Sequence, residues 1–472
     1  MSHIDTDDSP VTWRAFLASG NTGALLLVSL AVWLHAADSL VVATMLPALV
    51  AEIGGAAYVS WTVSIYEIGS VVAGAASALL SLRYGLRGPM SLAALLFALG
   101  CAVSALSPSM AGVLLGRALQ GIGGGGLVAL GFIAAGVIFA PRYRARVMAT
   151  ISAFWGVSAF LGPLLGGLFV EYATWRLGFA FFALQAAGLA LWIFSRPEAL
   201  PPDTAAPSGR FPLARLALLC LAVVLVSLAG SRIEPLRTPL LIAAGLACLG
   251  LFLVRDGRAR QDRLLPTAPL DPRHATGATL LMLLTVSMAT IPLLAYGPLL
   301  MTALHGVSAL TAGYIVAASS IGWTVAAIAV SGAPERQDRF WIALGMSLVT
   351  ASVAGFVYAL PAGPLGLIGA VSFLEGAGFG LAWTFVLRRV TSLAPKDEVQ
   401  RVAGAMPTVQ RVGYALGAAY MGIVANAAGF VEMRDPEEAA HVARVLFLSC
   451  LPLALLALAA IAGLVRRHPS DP

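Results

Sequence analysis

Four ionisable side chains stand inside long apolar runs, where charge is costly and marks sites of function. Asp38 lies in WLHAADSLVVATMLP, Glu67 in WTVSIYEIGS, Arg117 in LLGRALQGIGGGG and Glu375 in SFLEGAGFG. Removal from water disfavours a carboxylate's charged form, and a neighbouring cation restores it. Acids and an arginine at such depth therefore suit the uptake and release of protons. The expected proton-coupling set is Asp38, Glu67, Glu375 and Arg117. His35 is three residues before Asp38, on the same helical face. Together with Tyr66, Gln120, Trp155, Tyr296, Trp323, Trp383 and Gln410 it is a candidate for contact with a bound small molecule. Aromatic faces offer broad apolar contact and a seat for cations. Arg411 is a second arginine in an apolar run, expected to meet Glu375 or the inner helix ends.

Other chemistries find little support. The histidines, at 3, 35, 274, 305, 441 and 468, are scattered without ligand spacing. The four cysteines, Cys101, Cys220, Cys248 and Cys450, all fall in apolar runs and read as packing residues, with neither a disulfide nor a metal implied. Lys396 is the single lysine, so no phosphate-binding G-x-x-x-x-G-K-[ST] loop exists and ATP drive is not expected. No catalytic residue, metal or cofactor is assigned. A polytopic membrane enzyme would need a nucleophile–base pair or a ligand cluster, and the sequence offers neither.

The elements that must position the charged residues are membrane spans. The chain has 472 residues, 59% hydrophobic and only 11% charged, against about 25% charged in a soluble domain. Stretches of about 20 apolar residues fall near 23–49, 59–81, 89–106, 109–139, 147–170, 175–195, 213–230, 239–254, 276–303, 308–331, 340–360, 364–387, 402–428 and 442–465. These make fourteen spans of an all-α polytopic protein, the eighth being short. The N-terminus is acidic and lacks the basic region of a signal peptide, so the first span is expected to direct insertion. With both termini inside, 22 of the 29 basic residues fall in inner segments, 5 fall outside, and Arg117 and Arg411 stay in the membrane. That asymmetry is the positive-inside signature and predicts a multi-pass protein of a bacterial inner membrane. The net charge of +6 is thus a topology signal. Dispersed arginines do not make the basic patch that a nucleic-acid partner needs.

The glycine-rich stretch has an echo. Leu119-Gln120-Gly121-Ile122-Gly123 aligns with Leu374-Glu375-Gly376-Ala377-Gly378, and in the following span Gly156, Gly162-Pro163 and Gly166-Gly167 align with Gly413, Gly417 and Gly422. The expected organisation is a six-helix half at 1–195, a linker with two extra spans at 196–273, and a second six-helix half at 274–472. Such repeats place a substrate site near the membrane midplane between them.

ADSLVVATMLPALVAEIGG, SWTVSIYEIGS, LLGRALQGIGGGG and GVSAFLGPLLGGLFVEYATWRLGFAF together resemble the major facilitator superfamily, most closely its fourteen-span drug:proton antiporter branch. The pattern R-x-x-Q-G-x-G is met by Arg117, Gln120, Gly121 and Gly123. The antiporter pattern G-x(5)-G-P-x-x-G-G is met by Gly156, Gly162, Pro163, Gly166 and Gly167. The resemblance implies that these glycines and Pro163 form a packing and gating helix that seals the site from inside during export. It also implies the major facilitator fold of two six-helix halves, with two extra central spans making fourteen transmembrane helices. One departure stands out. The loop expected to read G-x-L-x-D-R-x-G-R-R has Ala78 for its first glycine and Leu82 for its aspartate. In the family this carboxylate helps latch the inner helix ends, so a weaker inner latch is expected. The matching loop of the second half retains only the charges Glu335, Arg336, Asp338 and Arg339.

The resulting expectation is a monomeric, proton-coupled antiporter that exports amphipathic compounds, cations among the candidates, by alternating access. Its partners are small-molecule substrate, protons and membrane lipid. The competing expectation is a dedicated exporter of one metabolite, lipid or siderophore.

Overall fold

The computed structural model describes Arg14, Phe16 and residues 20–198, 211–259 and 263–465. The acidic N-terminal stretch, the interior of the Pro-rich linker with Arg210, and Arg260, Arg466, Arg467, His3 and His468 lie outside the described residues.

Fourteen long helices follow one another: α1 Thr22–Ile53, α2 Trp61–Tyr84, α3 Arg87–Leu106, α4 Met110–Ile138, α5 Pro141–Tyr172, α6 Trp175–Phe194, α7 Leu213–Ser231, α8 Arg237–Arg258, α9 Ala275–His305, α10 Ala309–Val330, α11 Asp338–Ala362, α12 Leu365–Leu393, α13 Val399–Ala427 and α14 Pro436–Ala460. In lipid every backbone group must be satisfied within the segment, which makes the helix the solution for these apolar runs. Thirteen of the described segments are long and apolar enough to cross a membrane. The exception is α13, which carries Gln400, Arg401, Gln410 and Arg411. The eighth span, short by sequence, is a full helix of 22 residues. The turns between spans carry ordinary punctuation. Gly54 ends α1 at φ 69°, Gly306 ends α9 at φ 60°, and Asp435 caps α14 by accepting from the Glu438 N–H at 2.9 Å.

Because the helix count is even, α1 begins and α14 ends on the same side of the bundle. We refer to that side as the terminal face and to the other as the distal face. In the first six helices α2 packs on α4, α3 on α4 and α6, and α1 on α4, α5 and α6. In the last six, α10 packs on α12, α11 on α12 and α14, and α9 on α13 and α14. The packing pattern therefore recurs. Two seams join the six-helix sets, α2 against α13 and α5 against α10.

Glycine contacts fix the register of the repeat. A Cβ on Gly121 would lie 2.8 Å from the Tyr66 carbonyl carbon, and one on Gly376 would lie 2.8 Å from the Ser319 Cα. In α5, Gly162 sits over Leu40 and Gly166 over Thr44. In α13, Gly413 sits over Ser287 and Gly417 over Ile291. The packing counterparts of Gly162 and Gly166 are thus Gly413 and Gly417, about one turn away from the alignment expected by sequence. The expected partner of Gly413, Gly156, faces no close neighbour: its nearest atom would be the Thr324 methyl at 3.9 Å. Close approach to the partner backbone, rather than a count of glycines, defines the motif.

The extra pair sits on one side only. α7 packs against α8, α13 and α2, so it covers the α2/α13 seam. The Asn426 amide donates to the Gly230 carbonyl at 2.7 Å and the Ala57 carbonyl at 3.0 Å, tying the distal ends of α13, α7 and the α1–α2 turn.

Candidate functional site

Asp38 is carried near the middle of α1 and is 2% exposed. Arg117, in the distal third of α4, reaches it and forms a buried ion pair. The guanidinium also donates from Nη1 to the Gln120 Oε1 at 2.6 Å and from Nε to the Thr62 carbonyl at 3.0 Å, and it lies 4.2 Å from the centre of the Tyr66 ring. A buried charge of this kind is retained only when paired and further hydrogen-bonded, and Arg117 meets both conditions.

Arg411 departs from the expectation. It meets neither Glu375 nor the inner helix ends. From α13 it crosses the α2/α13 seam and donates to Glu67 Oε2 at 3.1 Å and to His35 Nε2 at 2.9 Å. The physical reason is placement: Glu67 offers a carboxylate at 9% exposure on the facing helix. The other imidazole nitrogen of His35, Nδ1, is 2.7 Å from Tyr66 Oη. Asp38, Arg117, Tyr66, His35, Arg411 and Glu67 therefore form one chain of contacts, from the first set of helices into the second.

His35, Tyr66 and Gln120 are 4%, 1% and 0% exposed and their polar atoms are committed to this chain. The structure thus brings these three together with the charged groups. A cavity of about 20 Å³, room for one water, lies between Tyr66, Glu67, Arg117 and the α9 residues Leu294 and Ala295.

Glu375 stands apart from this chain, on α12. This acid is 4% exposed and accepts from the Ser319 hydroxyl at 3.2 Å, and no ion pair reaches it among the described residues. One turn along α12 from Glu375, Phe379 stacks on Trp323 of α10 at 5.3 Å, and Trp383, a further turn along α12, meets Trp323 at 5.9 Å. Gln410 donates to Tyr414 Oη at 3.2 Å. Trp155 is 41% exposed and turns its ring toward His35, 5.9 Å away. Trp155, Trp323, Trp383 and Gln410 all keep part of their surface free. Tyr296 does not join them. It is fully buried against the edge of Phe430 at 5.0 Å, near the distal end of α9. Its apolar ring is used in distal packing.

The α5 motif packs near the distal end of its helix. A Cβ on Gly167 would lie 2.7 Å from Leu310 Cβ, and one on Gly313 would lie 2.9 Å from Pro163 Cβ. Gly162, Pro163, Gly166 and Gly167 are thus contact points between α5 and α1 or α10. Gly156 instead lines a cleft of about 600 Å³ on the α5/α10 seam, with Ser152, Val157, Phe160, Ile321 and Thr324.

The terminal corner that lacks the loop aspartate is not left without a carboxylate. Glu198, from the segment after α6, accepts from the backbone N–H of Leu86 at 2.8 Å and of Arg87 at 3.2 Å. It caps the first turn of α3, where the helix dipole favours an anion. In the second set Asp338 pairs with Arg388, which also donates to the Ala333 carbonyl at 3.2 Å. Sequence reasoning missed Glu198 because no spacing links it to a loop more than a hundred residues earlier. Arg411 carried a usable signal, since an intramembrane arginine needs an acid, but the sequence did not say which.

The sequence pattern of the Major Facilitator Superfamily matches residues 28–418. A probable multidrug-efflux transporter of Mycobacterium tuberculosis is 30% identical over 440 residues, covering 90% of this chain and 92% of the relative. An efflux pump, FUS6, of Gibberella fujikuroi is 26% identical over 422 residues, 84% of this chain and 74% of the relative. Among solved structures, a bacterial homologue of the human lysosomal transporter Spinster, inward-facing and occupied, superposes with a TM-score of 0.62 at 14% identity, over 94% of this chain and 96% of that one. A peptide transporter, POT, gives a TM-score of 0.67 at 17% identity, over 97% of both chains. These structures share the fold. The family and the sequence relatives are transporters, which answers the enzyme alternative.

Proposed function

Because the chain belongs to the Major Facilitator Superfamily, we propose that this multi-pass membrane protein is a proton-coupled exporter of amphipathic compounds, cations included, working by alternating access. The observation that carries the reading is the coexistence of a buried acid–arginine chain with a buried acid, Glu375, that no ion pair reaches among the described residues. Asp38 and Glu67 each hold an arginine, and proton binding at either one competes with that ion pair. Glu375 has a hydroxyl partner and no cation, so a cationic substrate among Trp155, Trp323 and Trp383 would supply its missing charge. Substrate and proton then compete for one carboxylate, which is the minimum that exchange requires. Arg117 positions Asp38 and links it to Gln120. The two six-helix sets, joined along two seams, are the bodies that rock. The arginine asymmetry of the loops supports a bacterial inner membrane with both termini cytoplasmic, which makes the terminal face the inner one. The chain is proposed to act as a monomer.

Purified protein in liposomes, given a lipophilic cation and an imposed proton gradient, provides the test. Gradient-driven accumulation that is lost in Asp38→Asn or Glu375→Gln, with cation binding retained, supports the reading. Equal accumulation with and without the gradient removes proton coupling. Failure to move any of several unrelated cations leaves the dedicated exporter of one metabolite, lipid or siderophore.

A further inference from the structure

The coupling scheme above makes no use of His35, although the structure surrounds it with care. Arg411 carries only donors, so the His35 Nε2 facing it at 2.9 Å accepts. A neutral imidazole that accepts at Nε2 carries its proton on Nδ1, and that proton is donated to Tyr66 Oη at 2.7 Å. Both nitrogens are therefore occupied, one by the first set of helices and one by the second.

The surroundings leave little freedom. Asp38 is on the same helix. Tyr66 and Glu67 face His35 from α2, Arg117 from α4, Trp155 from α5 and Arg411 from α13. Two acids and two arginines cancel, so the cluster is neutral only while His35 is neutral. Gly124 makes the room: a Cβ there would lie 2.7 Å from Tyr66 Oη and 3.1 Å from His35 Nδ1. At the corresponding place in α12 stands Phe379, stacked on Trp323, and no such pair exists there.

We propose that His35 is one of two clasps between the sets of helices: neutral, it ties Arg411 of α13 to α1, and protonated on Nε2 it gives up that tie and leaves Arg411 to Glu67 of α2 alone. The incoming proton takes the Nε2 lone pair that Arg411 now uses. The Arg411–His35 hydrogen bond is lost, and two cations stand at hydrogen-bond distance where one stood before. Arg411 then keeps Glu67 alone, and losing the proton restores the clasp. His35 acts through Arg411 and is a positioning residue. The inference rests on the proton-coupled reading and assigns it a further residue.

The test uses the full chain in lipid nanodiscs, its four cysteines replaced by alanine. Nitroxide labels go on Leu82→Cys at the terminal end of α2 and Phe340→Cys at the terminal end of α11, both exposed. Distances are measured by pulsed electron resonance from about pH 8 down to about pH 4.5, reaching below the range in which an ordinary histidine titrates. The expected result is two distance populations whose ratio follows pH, and a His35→Gln profile whose midpoint is displaced from the parent's. A wild-type ratio indifferent to pH, or a His35→Gln profile that follows pH as the parent does, overturns the proposal. Gly124→Ala keeps every ionisable group, crowds the His35–Tyr66 pair, and is expected to move the midpoint. It decides the matter if His35→Gln does not fold, and an unmoved midpoint counts against the clasp. The readout needs neither substrate nor gradient. A His35-dependent pH response without gradient-driven efflux sinks the exporter reading alone. Gradient-driven efflux with a parent-like His35→Gln profile sinks the clasp alone.

Discussion

Gly121 of α4 rests on the backbone of Tyr66, and Gly376 of α12 rests on the backbone of Ser319. The surroundings of these two contacts are not alike. Beside the first, Arg117 joins Gln120 to Asp38. Beside the second, the position of Gln120 is taken by Glu375 and that of Arg117 by Ser372, whose hydroxyl is buried with no partner among the described residues. The counterpart of Asp38, by the Gly162 and Gly413 contacts, is Thr285, which turns its hydroxyl back to the Leu281 carbonyl at 2.8 Å. The skeleton is duplicated and the charge is not. Backbone-to-backbone approach tolerates no side chain, so the glycine spacing is held in both halves. The side chains between the glycines carry no such restraint, and only one half has become an ion-paired centre.

The comparison can be broken most forcefully at Arg117. Arg117→Met leaves Asp38 buried without its partner and is expected to cost about 3–5 kcal/mol, read as thermal unfolding in detergent. Ser372→Ala, the matching change, is expected to stay within about 0.5 kcal/mol. Equal losses would mean that the two halves bear charge alike. The shared skeleton makes the opposite forecast: Gly121→Ala and Gly376→Ala should each cost about 1–3 kcal/mol, by the same overpacking. A large loss at one position and none at the other would break the repeat. Glu375→Gln keeps an acceptor for Ser319 and should leave folding unchanged, while efflux of cationic compounds falls about tenfold, or ~1.4 kcal/mol. Neutral substrates should be much less affected. A small effect is also expected at the terminal corner. Glu198→Gln keeps a weaker cap on α3 and removes the charge, costing about 0.3–1 kcal/mol, and the loss should shrink as salt is added.

Much of the architecture was legible because it is written locally. Apolar run length set the spans, and the glycine pairs around Gln120 and Glu375 announced the repeat. Asp38 and Arg117 stood out by their cost in lipid. The long-range pairings were not legible. Glu67 and Arg411 are 344 residues apart, and no periodicity ties one to the other. The Gly156 to Gly413 alignment failed because glycines recur about every turn in both helices, and only the packed neighbours Leu40 and Ser287 choose among the registers. Tyr296 resembles a ligand aromatic in sequence, and burial against Phe430 gives it another use.

A bundle with two seams is free, in principle, to part along either. Here α7 lies along one of them, and Asn426 stitches it to both sides. The molecule is bound like a book, with α7 and α8 as its spine. Any rocking that opened the α2/α13 edge would have to tear the stitching or carry α7 along. The α5/α10 edge is held by the glycine contacts near its distal end and carries a cleft of about 600 Å³ midway along its helices.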